Sequence, residues 1–229
     1  FSYNKDSSPI PKSLTYVGNP KVADFLPYKS GANGSFSVTG NDYLKLADSD
    51  DWDLGTSFTV ECWFYGKGST STNLQYLMSK WDGAKQYNLY FTTTSAPYGE
   101  LKFEYDVSEG TSQFADGGTF TTGMVANRWY HIAFVNNSGT SKLYINGVSD
   151  STTGTISSVN LTGDFLRVLG TGDPNKSCNA LITDFRIVKG QALYSGDSFI
   201  PPAFPLRADK YSTDGSDPSG GSSITGTVS

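Results

Sequence analysis

The sequence predicts an all-β protein with two antiparallel sheets packed as a sandwich, and three observations lead to this prediction. Aromatic residues make up 14% of the 229 residues, whereas charged residues make up only 17%. Short segments in which apolar and polar residues alternate recur along the chain, as expected for half-buried strands. No stretch of the sequence has the apolar spacing and the caps of an amphipathic helix. Many short strands at regular spacing are typical of a two-sheet sandwich.

The predicted strands follow one another through the middle of the chain. They cover residues 58–64, 101–107, 128–135, 142–145, 148–152, 165–169 and 181–188. Residues 101–107 alternate strictly between apolar and charged side chains, while residues 128–135 are apolar nearly throughout, as in a strand buried on both faces. Asn146 and Gly147 separate two predicted strands and indicate a tight hairpin turn, because both residues tolerate a positive φ.

The two ends of the chain differ in composition from the middle. Residues 1–33 contain four prolines and are predicted to form an extended arm, because proline cannot donate a hydrogen bond to a central strand. The arm also carries Tyr, Phe and Leu side chains, so we expect it to pack through aromatic anchors on the domain or on a neighbouring subunit. Residues 34–206 are predicted to form one domain. Residues 207–229 are rich in Gly, Ser and Asp and are predicted to form a flexible linker or tail.

Charge and cysteine content exclude several classes of partner and site. The chain has 17 Lys and Arg against 22 Asp and Glu, a net charge of −5, and its cations occur singly. Nucleic acids and anionic membranes are bound by clustered cations, so neither is an expected partner. The absence of an apolar run of about 18 residues predicts no membrane insertion. Cys62 and Cys178 cannot form a four-ligand zinc site by themselves. Cys62 is expected to be a small buried residue, and whether the two cysteines pair stays open.

Four segments occur in a characteristic order along the chain. They are residues 34–65, 76–83 (YLMSKWDG), 127–148 (NRWYHIAFVNNSGTSKLYINGV) and 180–206 (ALITDFRIVKGQALY…FIPPAFPL). Together they resemble a laminin-G-like domain of the concanavalin A-like lectin/glucanase superfamily, which implies a jelly-roll fold. In this comparison Trp129 begins a core strand, so we expect it to be mostly buried.

The last of these segments resembles the form of the domain found in virion structural proteins of tailed phages. This resemblance implies a non-enzymatic virion protein, a capsid decoration, fibre or tail component located on the particle surface. Its implied partners are other virion proteins, further copies of itself in the particle and host cell-surface glycans. A secreted bacterial carbohydrate-binding adhesin built on the same module is an alternative.

A catalytic alternative rests on the segment EYDVSE, residues 104–109. It spells E-x-D-x-x-E, the string of laminarinase-type glucanases in the same superfamily, and retaining glycosidases need two carboxyl groups about 5 Å apart. The resemblance places their catalytic strand one strand earlier, at residues 87–92, which contain no carboxylate. Glu104 and Asp106 are therefore expected on the solvent side of a strand, beside Lys102, and no catalytic residue is predicted. A glycan-cleaving enzyme that uses Glu104 and Glu109 is the alternative.

Sugar binding requires an aromatic platform with planar polar groups beside it. Trp81 and Asp82 are adjacent in a predicted loop, and several polar or aromatic residues are expected to line the neighbouring sheet. The predicted ligand-binding residues are Trp81, Asp82, Asn88, Tyr90, Tyr98 and Tyr105. The alternative is that Trp81 caps the core and that the tyrosines are ordinary sheet residues, because tyrosine is common in strands.

Two acidic positions are candidates for calcium, which binds clustered oxygen ligands. The acidic run from Asp48 to Asp53 lacks the spacing of an EF-hand and is expected to be a solvated loop. The superfamily resemblance implies that Asp184 could hold a structural Ca²⁺ ion, and the alternative is a hydrogen-bonded or exposed aspartate. No other cofactor is predicted. His131 is the only histidine and lies in an apolar strand, so we expect it to be structural.

Overall fold

Most of the described residues belong to strands or to the turns between them. The computed structural model describes residues 9, 11–28, 34–68, 74–81, 86–92, 98–106, 114–161, 164–173, 176, 178–211 and 222–229. Among these residues, no helix is long and apolar enough to cross a membrane. A short 3-10 helix spans Asp50–Trp52. The strands are β1 (Leu14–Val17), β2 (Lys21–Ala23), β3 (Ser35–Val38), β4 (Tyr43–Leu46), β5 (Ser57–Gly66), β6 (Leu74–Trp81), β7 (Gln86–Thr92), β8 (Glu100–Asp106), β9 (Phe114–Thr121), β10 (Trp129–Asn137), β11 (Thr140–Ile145), β12 (Val148–Ser149), β13 (Gly154–Thr155), β14 (Leu166–Val168), β15 (Ala180–Lys189), β16 (Lys210–Tyr211), β17 (Ser222–Ser223) and β18 (Thr227–Val228).

These strands form two antiparallel sheets that pack face to face. The seven-stranded sheet has the order β1-β4-β14-β6-β7-β8-β9. The nine-stranded sheet has the order β12-β11-β10-β5-β15-β3-β2, with β13 paired to β11 and β18 paired to β15. Strands β16 and β17 form a separate pair. This architecture confirms the predicted all-β, two-sheet jelly-roll sandwich.

An aromatic core fills the space between the two sheets. Successive side chains of a strand point to opposite faces, so alternate residues of β5 point into this core and are buried: Phe58, Val60, Cys62 and Phe64. Phe103 of β8 stacks on Phe134 of β10 with ring centroids 4.8 Å apart, which joins one sheet to the other. Each buried side chain of this size contributes roughly 1.5–3 kcal/mol.

Both cysteines lie in the core as free thiols. The expectation that Cys62 is buried is confirmed, and the structure shows that it does not pair with Cys178. Burial raises the pKa of both thiols above its ordinary value. Both side chains are therefore neutral at physiological pH and act as small apolar residues.

The hairpin turn predicted at Asn146 and Gly147 is confirmed. Both residues have a positive φ, 50° and 77°, which suits the twist of the flanking strands β11 and β12. A Cβ atom at Gly147 would lie 1.9 Å from the carbonyl oxygen of Phe199. Glycine is therefore required there both by its backbone conformation and by the close approach of residue 199.

The outer face of the nine-stranded sheet is covered by the segment that follows β15 and by the last residues of the chain. Val135, Tyr144 and Val188 of the sheet pack against this cover in a second apolar cluster. Within the cluster, Tyr194 and Phe199 of the cover stack with ring centroids 3.6 Å apart. Strand β10 is consequently buried on both faces, as its apolar sequence predicts.

The N-terminal segment is more regular than the predicted extended arm. Strand β1 pairs with β4 and β2 pairs with β3, so residues 14–17 and 21–23 are edge strands of the two sheets. Pro20 and Pro27 lie outside these strand pairs, so their lack of a backbone N–H costs no hydrogen bond of the sheets. The expected aromatic packing is confirmed, because the ring of Phe25 lies 5.0 Å from that of Tyr65 and 5.6 Å from that of Trp129.

The C-terminal segment also differs from the prediction. Residues 222–229 were expected to belong to a flexible tail, but β18 pairs with β15, with Val228 opposite Val188. The amide of Ser229 donates to the carbonyl of Ile187, and the amide of Ile187 donates to Ser229. The pairing gives hydrogen-bond partners to backbone groups at the end of β15. These hydrogen bonds compensate for the low apolar content of the C-terminal segment.

Trp129 does not lie in the core, and the prediction that it is mostly buried is wrong. Its neighbour Tyr130 points between the sheets, which places Trp129 on the outer face in a half-buried position. There it packs against Tyr65 and Phe25. An apolar pair at the start of a strand does not reveal which of the two residues faces inward, because both faces of β10 are apolar.

Candidate functional site

Two exposed aromatic side chains occupy neighbouring positions on the outer face of the seven-stranded sheet. Trp81, the last residue of β6, is 51% exposed, and Phe165, just before β14, is 37% exposed. In the antiparallel register Leu166 lies opposite Lys80, so Phe165 and Trp81 occupy neighbouring positions on adjacent strands. Leu166 and Lys80 are both fully buried. The residues next to them therefore point outward.

Lys80 holds the end of β6 in the orientation that exposes Trp81. Its side chain is fully buried, and its ammonium lies 2.8 Å from a carboxylate oxygen of Asp48 and 3.0 Å from the carbonyl oxygen of Asp164. A buried cation requires such partners, since an unpaired charge in the interior is costly. The contact with Asp164 also ties β6 to the residue next to Phe165.

Cationic side chains border the two aromatic rings. The ammonium of Lys45 lies 3.3 Å from the centroid of the Phe165 ring, a cation–π contact. Arg167, opposite Lys45 in the register, donates to a carboxylate oxygen of Asp164 at 3.0 Å. We call the group Trp81, Phe165, Lys45 and Arg167 the platform.

The polar row continues from the platform across the sheet. Arg167 lies opposite Ser79, Ser79 opposite Asn88, and Asn88 opposite Glu104. Ser79 and Asn88 are buried, whereas Glu104 is half-buried. Within this row, the accessible polar groups therefore lie at the platform and at Glu104.

The structure separates the predicted ligand-binding residues into three groups. Trp81 is exposed on the platform, and Asp82 lies outside the described residues. Asn88 and Tyr90 are on the same outer face but are only 3% and 6% exposed, and Tyr90 stacks on Tyr76.

Tyr98 and Tyr105 require a correction, because both belong to the core between the sheets. The hydroxyl of Tyr98 donates to the carbonyl oxygen of Gly68, and that of Tyr105 accepts from the amide of Ser157. Tyr105 alternates with Lys102 and Glu104 on β8, so its inward direction was readable from the strand pattern. Neither tyrosine is available to a ligand on the sheet surface.

Sequence reasoning missed Phe165, Lys45 and Arg167 as site residues. A signal for Phe165 was present, because it shares its strand face with Arg167 and alternates with the apolar Leu166 and Val168. That pattern places an aromatic ring on a polar face. Lys45 gave no comparable signal, since its contact with Phe165 joins residues that are 120 positions apart in sequence.

Glu104 lies on the outer side of its strand beside Lys102, as predicted. Glu104 points outward from β8, and its carboxylate lies 2.7 Å from the ammonium of Lys102. On the neighbouring strand β7, which separates β8 from β6, there is no carboxylate. Glu109, the second carboxylate of the catalytic alternative, lies outside the described residues.

The acidic run from Asp48 to Asp53 is only partly the solvated loop expected from the sequence, since Asp48 and Asp50 are exposed. It contains the 3-10 helix, and the carboxylates of Asp48, Asp51 and Asp53 bind groups elsewhere in the chain. Asp51 pairs with Lys12 at 2.5 Å, Asp48 with Lys80, and Asp53 accepts from the amide of Leu161 at 3.0 Å. The run therefore connects the residues just before β1, strand β6 and the segment before β14.

A second cluster of charged groups lies under the cover of the nine-stranded sheet. The buried carboxylate of Glu61 accepts two hydrogen bonds from the guanidinium of Arg186, at 2.5 and 2.9 Å. It accepts a third from the hydroxyl of Tyr194, at 2.9 Å. His131 Nε2 lies 3.3 Å from the same carboxylate. Burial alone would raise the pKa of Glu61, but Arg186 and His131 outweigh this effect and hold it at about 2. His131 is thus a buried structural residue, as predicted.

Asp184 lies at the edge of this cluster in a β-bulge of β15. Its φ is 53°, and the register with β5 shifts between Thr183 and Arg186. The Tyr28 hydroxyl donates to its carboxylate at 2.7 Å, and the amide of Leu206 also donates to it. Burial raises the pKa of Asp184 to about 6, against the opposing effects of Tyr28, Leu206 and Arg186.

These contacts do not fit a calcium site at Asp184. Calcium requires six to eight oxygen ligands, whereas Asp184 is hydrogen-bonded by a hydroxyl and an amide and lies beside an arginine. In the part of the chain that the structure describes, no group of three or more His, Cys, Asp or Glu side chains is arranged to hold a metal. The hydrogen-bonded alternative accounts for Asp184.

Comparison with known proteins relates the chain to sugar-binding folds. Residues 38–194 match the Laminin_G_3 family, described as concanavalin A-like lectin/glucanases superfamily. Domain 4 of AbnA, an extracellular arabinanase from Geobacillus stearothermophilus, solved with arabinotriose, is similar with a TM-score of 0.58 and 19% identity, over 80% of this chain and 84% of that chain. The search of curated proteins found no match.

Two toxin domains share the same fold. The binding domain of botulinum neurotoxin DC, solved with SialylT, has a TM-score of 0.62 and 16% identity, over 83% of this chain. The binding domain of Paraclostridial Mosquitocidal Protein 1 has a TM-score of 0.57 and 15% identity, over 80% of this chain. The chain spans only 45% of each of these two domains.

The raised pKa of Asp184 predicts a specific pH dependence of stability. The folded pKa of about 6 exceeds the ordinary 3.8, so the folded state binds the proton more tightly and this group destabilises the fold as the pH rises from about 4 to 6. Asp184→Asn should remove this loss. The free energy of unfolding of the variant, relative to wild type, should increase by up to about 3 kcal/mol between about pH 3.5 and pH 7.5. Urea denaturation at the two pH values measures this increase.

The control is Asp197→Asn, which alters a side chain that is 99% exposed. An equal pH dependence in wild type and Asp184→Asn would contradict the prediction.

Proposed function

The chain belongs to the concanavalin A-like lectin/glucanase superfamily, and from this we propose that it is a non-enzymatic carbohydrate-binding module. One observation carries the proposal: Trp81 and Phe165 are exposed side by side on one sheet face and are bordered by Lys45 and Arg167. Large aromatic residues are normally buried. Two exposed rings held in place by a fully buried lysine therefore indicate a surface kept for a ligand.

The chemistry of the platform suits a sugar. One face of a pyranose ring presents C–H groups that pack on an aromatic ring, while its hydroxyls need hydrogen-bonding groups at the ring edge. Trp81 and the part of the Phe165 ring that Lys45 does not cover supply the apolar surface, and the ammonium of Lys45 and the guanidinium of Arg167 supply donors. The relatives solved with arabinotriose and with SialylT support a sugar ligand for a domain of this fold.

The finer proposal is that the module is displayed on the particle of a tailed phage. There it would be a capsid decoration, fibre or tail component, with other virion proteins and further copies of itself as partners and host glycans as targets. The support is the resemblance of the segment DFRIVKGQALY…PPAFPL to virion proteins. Phe25, which is 48% exposed although it packs on Trp129, offers an aromatic contact for a neighbour. Mass spectrometry of purified particles should detect the chain, and its absence from the particles would contradict this placement.

Truncation of either platform aromatic should weaken glycan binding. Trp81→Ala should reduce affinity for the best ligand on a glycan array by about tenfold, because a central aromatic contact is commonly worth more than 1 kcal/mol. Phe165→Ala should weaken binding in the same direction. Isothermal titration calorimetry measures both effects.

The matched control is Phe204→Ala, since Phe204 is 40% exposed but lies near Trp63, whose strand belongs to the nine-stranded sheet. Its removal should leave affinity unchanged. Equal affinities of wild type and Trp81→Ala would show that the platform is not the binding site.

The protein should not hydrolyse glycans. Glu104 is paired with Lys102, and β7, the strand that corresponds to the catalytic strand of the glucanases, contains no carboxylate. A reducing-sugar assay on laminarin, lichenan and agarose should therefore give equal background rates for wild type and Glu104→Gln. Turnover by the wild type that disappears in Glu104→Gln would support the hydrolase alternative, because each carboxyl of a retaining pair is required.

A further inference from the structure

We propose that the platform prefers anionic glycans and that the ammonium of Lys45 confers this preference. The inference rests on the proposed function and specifies its ligand class. Its ligand is a sugar that carries a carboxylate or a sulfate. The ring of such a sugar would pack on the exposed aromatics while its charged group meets Lys45.

Lys45 differs from the other cations of this sheet face in having no counter-ion among the residues that the structure describes. Its contact is the aromatic ring of Phe165. By contrast, the guanidinium of Arg167 is paired with Asp164 at 3.0 Å, and Lys102 is paired with Glu104 at 2.7 Å. The described charges around the platform therefore sum to one uncompensated positive charge.

The position of this charge suits recognition of a bound sugar. The ammonium lies over one face of the Phe165 ring, and Phe165 and Trp81 occupy neighbouring positions on adjacent strands. A ligand stacked on Trp81 would therefore bring its substituents close to Lys45. The cation–π contact restricts the side chain before the ligand arrives, which lowers the entropic cost of binding. Lys45 is also half-buried, and partly buried charges are screened less by salt than exposed ones.

The local charge is opposite to that of the whole chain. The net charge of −5 would repel an anionic polymer at long range, so a preference for anionic glycans must arise from short-range contact at the platform. A single partly exposed ion pair is worth up to about 1 kcal/mol, which corresponds to about a two- to fivefold difference in affinity.

The experiment compares one polysaccharide in charged and neutralised forms. A glycan array first identifies the best carboxylate-bearing or sulfate-bearing ligand. Wild-type protein is then titrated with that ligand and with its methyl-esterified or desulfated form. The expected result is about two- to fivefold tighter binding of the charged form at low salt, with a smaller difference at high salt. The array distinguishes carboxylate from sulfate as the source of the charge.

Variants of Lys45 assign the preference to this residue. Lys45→Gln should bind both forms with equal affinity, while Lys45→Arg should retain the preference because it keeps the charge. Lys21→Gln is the matched control, since it removes a cation from β2 at the edge of the other sheet, and it should behave as wild type. Thermal unfolding of each variant verifies that the fold is retained.

The outcomes separate this inference from the proposed function. Equal binding of the charged and neutralised forms by wild type would overturn the anionic preference and leave glycan binding intact. A preference that persists in Lys45→Gln would overturn the role of Lys45. If wild type binds neither charged nor neutral members of the array, the proposed function itself fails, and this inference fails with it.

Discussion

Glu61 and Arg186 form an ion pair beneath the cover of the nine-stranded sheet, and the placement of the segment that follows β15 depends on it. Each side chain comes from a central strand, β5 or β15, and both are almost fully buried. Arg186 also donates to the carbonyl oxygen of Arg207, and Tyr194 of the covering segment donates to Glu61. A buried charge without its partner costs several kcal/mol. The covering segments must therefore stay in place to keep water away and complete the hydrogen bonds.

This requirement makes the two outer faces of the sandwich different. On the nine-stranded sheet, the cover over Val135, Tyr144 and Val188 leaves little of the central strands exposed. On the seven-stranded sheet, a second buried charge, Lys80, pairs with Asp48 at the end of β6 and leaves Trp81 exposed. The polar layer of one face stabilises the fold, and that of the other presents aromatic rings to solvent. The proposed ligand site therefore lies at the part of the seven-stranded sheet where Trp81 and Phe165 stay exposed.

The alternation of side chains explains which predictions succeeded. It correctly placed Leu101, Phe103 and Tyr105 in one row and Lys102 and Glu104 in the other, because these strands are apolar on one face only. It could not orient Trp129, because both faces of β10 are buried and its apolar residues do not alternate with polar ones. The assignment of Tyr98 and Tyr105 to a ligand site failed for a different reason. The hydroxyl of a buried tyrosine can find its hydrogen-bond partner within the core. Here Gly68 is the partner of Tyr98 and Ser157 is the partner of Tyr105.

The sequence by itself determined the all-β class, the strands β5, β8, β10, β11, β14 and β15 and the Asn146–Gly147 turn, because each is encoded in local patterns of apolar residues and turn formers. It also indicated the superfamily, through the resemblance of four segments in a characteristic order. Only the tertiary structure decided that Lys45 lies over Phe165, that β18 returns to β15, and that Asp184 is bonded to Tyr28 rather than arranged for a metal. These contacts join residues that are distant in the chain. They follow from strand order and register, which the pairing of the whole sheet sets, and no local pattern carries that information.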